Sequence, residues 1–313
     1  MLRKSILTEP TKNFALIACI VIFCITIASV ILIRNKYYSQ VDNKSDYQLL
    51  NLNALNFPTI QLGHYALWAE EEDGKTRFLK RFNFVNGNLT SLDGSELRKL
   101  EIEDWGTPTQ FTITIESEGD RDEKKGLLFM STEVKNEATV LNFDLPETQG
   151  ENSLLLATPT DGNTTINEQS GIWFTTESLG QSLSLPGIPE GFIFEARLIH
   201  MDTATSLGMG RFLKADQSDN SNSYSLTATP YYFPGEDFLT NMPGNIEAPV
   251  NIANGQYEII ISIEPNIDEI DPTGEEVFVK YISSTIPEDL NTHTSYGLDI
   301  VFNSPQMEIT IND

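Results

Sequence analysis

Phe111-Thr112-Ile113-Thr114-Ile115-Glu116 and Ile259-Ile260-Ile261-Ser262-Ile263-Glu264 decide how this chain is read. Each is a run rich in β-branched residues closed by a glutamate, the composition of a strand rather than a helix. The overlapping stretches QFTITI (residues 110–115) and YEIIISI (residues 257–263) are bounded by turn formers. Between residues 47 and 313 no segment keeps helical periodicity for three turns, and residues 97–103 license one short helical turn at most. The expected class is mainly β.

Working outward, both runs belong to longer sets of segments that recur in the same order. The first set begins Gly63-His64-Tyr65-Ala66-Leu67-Trp68, passes Glu72-Asp73-Gly74, reaches Lys80-Arg81-Phe82, and continues through Phe111 to Glu116 and on to Leu127-Leu128-Phe129. The second begins Gly191-Phe192-Ile193-Phe194-Glu195-Ala196-Arg197, reaches Gly210-Arg211-Phe212, and continues through Ile259 to Glu264 and on to Val277-Phe278-Val279. Phe82 and Glu116 are 34 residues apart, Phe212 and Glu264 are 52, and the surplus of 18 falls in a Ser/Asn/Pro/Gly-rich insertion near residues 216–245. Shared order and register argue for an internal duplication. The expected architecture is therefore tandem antiparallel β-sandwich-like domains, a first repeat over residues 56–148 and a second over residues 149–313, or one larger composite sandwich.

Ahead of the repeats, residues 14–33 (FALIACIVIFCITIASVILI) carry no charge over 20 positions. As a helix they would extend about 30 Å, the thickness of a bilayer's hydrocarbon core. The run ends directly in Arg34-Asn35-Lys36 with no small-x-small cleavage site, so the expectation is an uncleaved transmembrane helix rather than a signal peptide. Residues 1–13 then form a short cytoplasmic tail and residues 34–55 a stalk. The large domain lies outside the cytoplasm, because long domains translocate largely regardless of charge.

Of 45 acidic and 20 basic side chains, residues 1–46 hold three and six, leaving 42 and 14 for residues 47–313. So acidic a surface repels phosphate backbones, which excludes nucleic acid as a partner, and it favours cations, basic proteins or simple solubility. Cys19 and Cys24 are the only cysteines and both lie in the apolar run, so the repeats carry no thiol or disulfide chemistry.

The residues offer little catalysis. His64, His200 and His293 have no second His or Cys nearby in sequence, short of a zinc set, and there is no Gly-x-Ser-x-Gly elbow. The expectation is a non-enzyme without a cofactor. Two acidic loops occupy equivalent places after the glutamate-closed strands. Carboxylates dense in a loop can supply calcium's oxygen ligands, which makes Glu116, Asp120 and Asp122, with Glu264, Asp268 and Asp271, the candidate metal residues. Trp68 and Trp173 read as core, whereas Tyr231-Tyr232-Phe233, three aromatics in a polar insertion, are the candidate partner contact.

His64-Tyr65-x-x-Trp68, then Asp73-Gly74, then residues 112–120 (TITIESEGD) resemble the extracytoplasmic C-terminal domain of anti-sigma-K factors. In the second copy, residues 154–162 (LLLATPTDG), Gly171-Ile172-Trp173-Phe174 and Leu185-Pro186-x-x-Pro189-x-Gly191 resemble tandem, secreted or anchored relatives of that domain. The resemblance covers most of residues 56–282 and rests on packing and turn motifs. It implies a membrane-anchored outside module that binds or senses a protein partner, or, alternatively, one that braces the cell envelope with help from cations. Those factors grip their sigma factor with a cytoplasmic helical domain. Residues 1–13 carry no counterpart and no His-x-x-x-Cys-x-x-Cys motif, so sigma-factor sequestration is not implied.

Overall fold

The computed structural model describes residues 27, 29–31, 47–103, 106–162, 167–228, 232–244, 246–267, 271 and 277–312. The chain divides into two compact units, Met1–Gln48 and Leu49–Asp313. In the first, Ile27, Ser29, Val30 and Ile31 are helical and exposed. The rest of the run expected to span a membrane lies outside the described residues. Among the described residues no helix is long and apolar enough to cross one.

The β reading holds. In chain order the strands are β1 (Tyr47–Leu55), β2 (His64–Glu71), β3 (Thr76–Val85), β4 (Asn88–Ser91), β5 (Lys99–Glu103), β6 (Pro108–Glu116), β7 (Leu127–Glu133) and β8 (Ala138–Asn142). Then follow β9 (Ser153–Leu156), a single 3-10 turn (Pro159–Asp161), β10 (Gly171–Trp173), β11 (Phe192–His200), β12 (Thr205–Phe212) and β13 (Gly235–Asp237). The last are β14 (Tyr257–Pro265), β15 (Val279–Thr285), β16 (Tyr296–Gly297) and β17 (Gln306–Asn312). Three local expectations give way. Residues 47–55 are a strand and not the top of a stalk, because Leu50 and Leu52 alternate inward and are buried. Residues 97–103 hold β5 instead of a helical turn. The insertion contributes β13, which pairs with β10.

Two sheets dominate. One runs β4-β3-β2-β6-β7 and the other β12-β11-β14-β15, all antiparallel, so the order β3-β2-β6-β7 is repeated strand for strand. Register agrees as well. Tyr65 pairs with Phe82 and Ile115 as Phe194 pairs with Phe212 and Ile263. Each hairpin shifts register once at the matching step, Leu67/Trp68 in β2 and Ala196/Arg197 in β11. Each third strand does so too, at Ile113/Thr114 and Ile261/Ser262. A bulge bends and twists a strand, so equal bulges give the two sheets equal curvature.

The remaining sheets are β5-β1-β17-β8 and β13-β10-β9-β16. In the first of these β17, far along the chain, lies between β1 and β8, so the boundary near residue 148 separates the matching sheets without separating every strand. One hydrophobic cluster takes in residues of all four sheets, among them Leu52, Ile113, Leu154, Phe194 and Ile309. An aromatic seam joins the halves: Phe143 lies 5.1 Å from Phe129 and 5.3 Å from Phe192, and Phe129 meets Phe278 edge-on at 5.5 Å. Such pairs contribute about 0.5–1.5 kcal/mol each beyond the area they bury. Leu49–Asp313 thus form one compact unit, in which the two like sheets share one large hydrophobic cluster.

Candidate functional site

Glu116 ends β6 and is buried. Its carboxylate accepts the Thr114 hydroxyl and, at 3.0 Å, the Gly126 N–H. Glycine is required at 126, since a Cβ there would overlap Glu116 and the Ile115 carbonyl. Burial raises the Glu116 pKa, the two hydrogen bonds acting the other way. Opposite it on β2, His64 is buried and held below its ordinary pKa, first by burial and then by the Arg81 charge. Arg81 donates from Nη2 to the Asp122 carbonyl at 2.6 Å. Asp120 and Asp122 cap their own loop, accepting the N–H groups of Asp122 and Lys124.

The second sheet end repeats this plan with drier chemistry. Glu264, next to last in β14, accepts the Phe278 N–H with both oxygens, at 3.0 and 3.2 Å. Arg211, the counterpart of Arg81, donates from Nη2 to the Asp271 carbonyl at 2.9 Å and to its carboxylate at 2.7 Å. Glu195 is fully buried and bridges two guanidiniums, Arg197 at 3.0 Å and Arg211 at 2.7 Å. Burial, then the charges of Asp271 and Glu195 against that of Arg197, push Glu264 up to about 8. Arg197 Nη2 also lies 3.8 Å from Glu264, so two guanidiniums face three carboxyl groups, and the raised Glu264 pKa moves the enclosed charge toward balance. An unbalanced charge there would cost several kcal/mol.

Glu116, Asp120, Asp122, Glu264 and Asp271 each therefore accept hydrogen bonds from the chain itself, while Asp268 lies outside the described residues. Glu116 and Glu264 do not stand in solvated loops, because both faces of their strands are covered at that end. Among the described residues no group of three or more His, Cys, Asp or Glu is arranged to hold a metal ion.

The insertion carries a third acidic group. On β13, Glu236 and Asp237 are fully buried, and Asp219 approaches from the segment ahead of them. Asp237 accepts the Trp173 indole N–H at 2.9 Å and the Thr160 N–H at 2.7 Å. Asp219 accepts the N–H groups of Ser221 and Gly235, both at 2.8 Å. Among the described residues Glu236 accepts hydroxyls alone, those of Ser225 and Ser221. Gly210 (φ +105°) makes room for this segment, since a Cβ there would sit 2.5 Å from an Asp219 oxygen. Sequence reading missed this trio. A Gly-Glu-Asp triplet inside a Ser/Asn/Pro/Gly-rich insertion carries no alternation from which a buried strand can be inferred.

Of the aromatic candidates, Tyr232 is 79% exposed, Phe233 is half-buried and Tyr231 lies outside the described residues. Trp68 and Trp173 are core residues, with the Trp68 indole donating to the Thr114 hydroxyl at 2.8 Å. Trp105 lies outside the described residues. His200 packs edge-on against Tyr257, and His293 reaches Glu168 at 3.1 Å. Comparison with family models, with curated proteins and with solved structures finds no match.

Proposed function

We propose that the chain is a non-catalytic binding or sensor-like module, held outside the cytoplasm by residues 14–33 and engaging a protein partner through the insertion at Tyr231, Tyr232 and Phe233. The observation that carries the reading is Tyr232, 79% exposed on a segment that is itself rooted in the core by β13. Large aromatics on soluble domains are ordinarily covered, and a rigidly seated exposed one is a common contact anchor. The resemblance to the anti-sigma-K C-terminal domain supports the same reading and gives it a sensing sense.

A photo-crosslinking residue at position 232 in the membrane-bound chain tests it. One defined heterologous adduct, lost when Phe233→Ser is added, is the expected outcome; random labelling of many proteins overturns it. The alternative is a structural envelope protein braced by cations, drawn to the strongly acidic surface of residues 47–313. That alternative predicts adducts between copies of the chain. It also predicts a melting temperature raised by calcium beyond the effect of sodium at matched ionic strength.

A further inference from the structure

Three carboxylates converge where the insertion meets the second half of the molecule, and their partners differ in kind. Both oxygens of Asp219 accept backbone N–H groups. Those of Asp237 accept an indole N–H, a backbone N–H and the Thr160 hydroxyl. Amide and indole N–H groups cannot turn round and accept, so Asp219 offers a proton no acceptor among its partners, and Asp237 offers one only through the Thr160 hydroxyl. Glu236 is different. Its partners are the hydroxyls of Ser225 and Ser221, which can reverse and accept a proton from it. The Ser225 hydroxyl also accepts the Asp237 N–H at 3.3 Å, so Glu236 is wired to its neighbour through one side chain.

Among the described residues, the charged and titratable groups that face Glu236 add no positive charge. They are Asp219 from the preceding segment, Asp237 beside it on β13 and Tyr224, whose hydroxyl is itself raised by burial and then by Glu236. Asp161 faces Asp237 from the 3-10 turn. On β10 the residue opposite is Ile172. On β12, beside β13, the Arg211 side chain is engaged by Glu195 and Asp271. A fully buried carboxylate beside two others, held by hydroxyls that can reverse, is the place where a proton from solvent settles.

We propose that Glu236 is a proton-operated latch, which fastens the Asp219–Leu226 segment of the insertion to β13 when protonated and loosens it when ionised. Burial, followed by the charges of Asp219 and Asp237, raises Glu236 from 4.5 to about 7, against the hydrogen bonds of Ser225 and Ser221, and burial raises both aspartates to about 6. A carboxyl whose folded value lies above its unfolded one binds more protons in the folded state. Its contribution is fully present below about 4.5 and lost as the pH rises through about 7. The insertion is thus held tightly in mild acid and loosely in mild alkali, opposite to the trend set by a salt-bridged carboxylate. The latch does not depend on which partner the insertion meets.

Amide hydrogen exchange on the full chain in detergent tests it, with rates corrected for the intrinsic pH dependence of exchange. Between pH 5.5 and pH 8, protection of residues 219–226 and 235–238 is expected to fall about tenfold more than that of β6. Glu236→Gln keeps a neutral side chain among the same hydroxyls. It should lose clearly less protection than the wild type between pH 5.5 and pH 8, the remaining fall coming from Asp219 and Asp237. Ser225→Ala removes a donor to the carboxylate and should move the midpoint upward by about one pH unit, which keeps the test open should the glutamine variant fold poorly. A flat wild-type profile, a fall shared equally by β6, a glutamine variant that follows the wild type, or an unmoved Ser225→Ala midpoint would overturn the latch.

Discussion

The ends of the two matching sheets solve one problem in two ways. Both place an arginine, Arg81 or Arg211, against the main-chain carbonyl of an aspartate in the following acidic loop. Both close the third strand with a buried glutamate, Glu116 or Glu264, that accepts an N–H from the chain returning toward the next strand. By register, Ala66 and Trp68 of the first sheet stand where the second has Glu195 and Arg197. The first end is neutral at these positions, with the Trp68 indole satisfied by Thr114, and Arg81 keeps some contact with solvent. The second end has dried Arg211 to 5% exposure and added Arg197, so it needs Glu195 between them. A backbone plan tolerates apolar or ionic filling at the same sites, provided the ionic filling arrives as a complete set.

The comparison is broken most forcefully at Glu195. Glu195→Ala should destabilise by about 3–5 kcal/mol in urea unfolding, because two guanidiniums are left facing each other in a dry site. Adding Arg197→Met, toward the apolar filling of the first sheet, should recover part of that loss. A double variant as unstable as the sum of its parts would show that the two residues do not act as a set. Trp68→Phe removes one donor from Thr114 and should cost about 1–2 kcal/mol, less than Glu195→Ala in the same assay. If it costs as much, the neutral end is no less demanding than the ionic one.

Glu264→Gln sharpens the contrast through pH. The folded pKa of Glu264, about 8, lies above its ordinary 4.5, so its contribution is present below 4.5 and lost as pH rises through 8. The glutamine variant should therefore lie within about 1 kcal/mol of wild type at pH 6 and exceed it at pH 9. Urea midpoints at the two pH values measure this, and a variant less stable than wild type at pH 9 would mean that Glu264 is ionised in the fold. The smallest effect is expected at Tyr232, where Tyr232→Ser should move stability by less than about 0.5 kcal/mol while removing partner contact.

Much of the larger pattern was legible in the sequence because it is local and repeated. The β-branched runs closed by Glu116 and Glu264 are strands, and the Arg-Phe pairs at 81–82 and 211–212 occupy matching positions in the two sheets. What could not be read depends on distant pairing. Nothing in residues 47–55 announces β17 as a partner, so a paired strand looked like a stalk. Glu195 and Arg197 alternate with apolar residues, and alternation alone cannot tell solvent from a buried counter-ion. The acidic loops were found, but the burial of their leading glutamates was not, because it comes from chain packed over both faces of the strand end.

The position of β17 also governs when this fold can close. Its residues pair with β1 on one side and β8 on the other, Leu52 meeting Ile309 and Leu141 meeting Met307. A chain emerging from a ribosome or a translocation pore presents β1 and β8 long before residues 306–312 arrive. Until then each of these two strands has an edge with no partner, and unpaired edges invite pairing with other chains. Assembly is therefore timed by the arrival of its last strand. Pairings of such sequence separation form slowly, so a chaperone that shields β1 and β8 during synthesis should matter more to the yield of this protein than to its final stability.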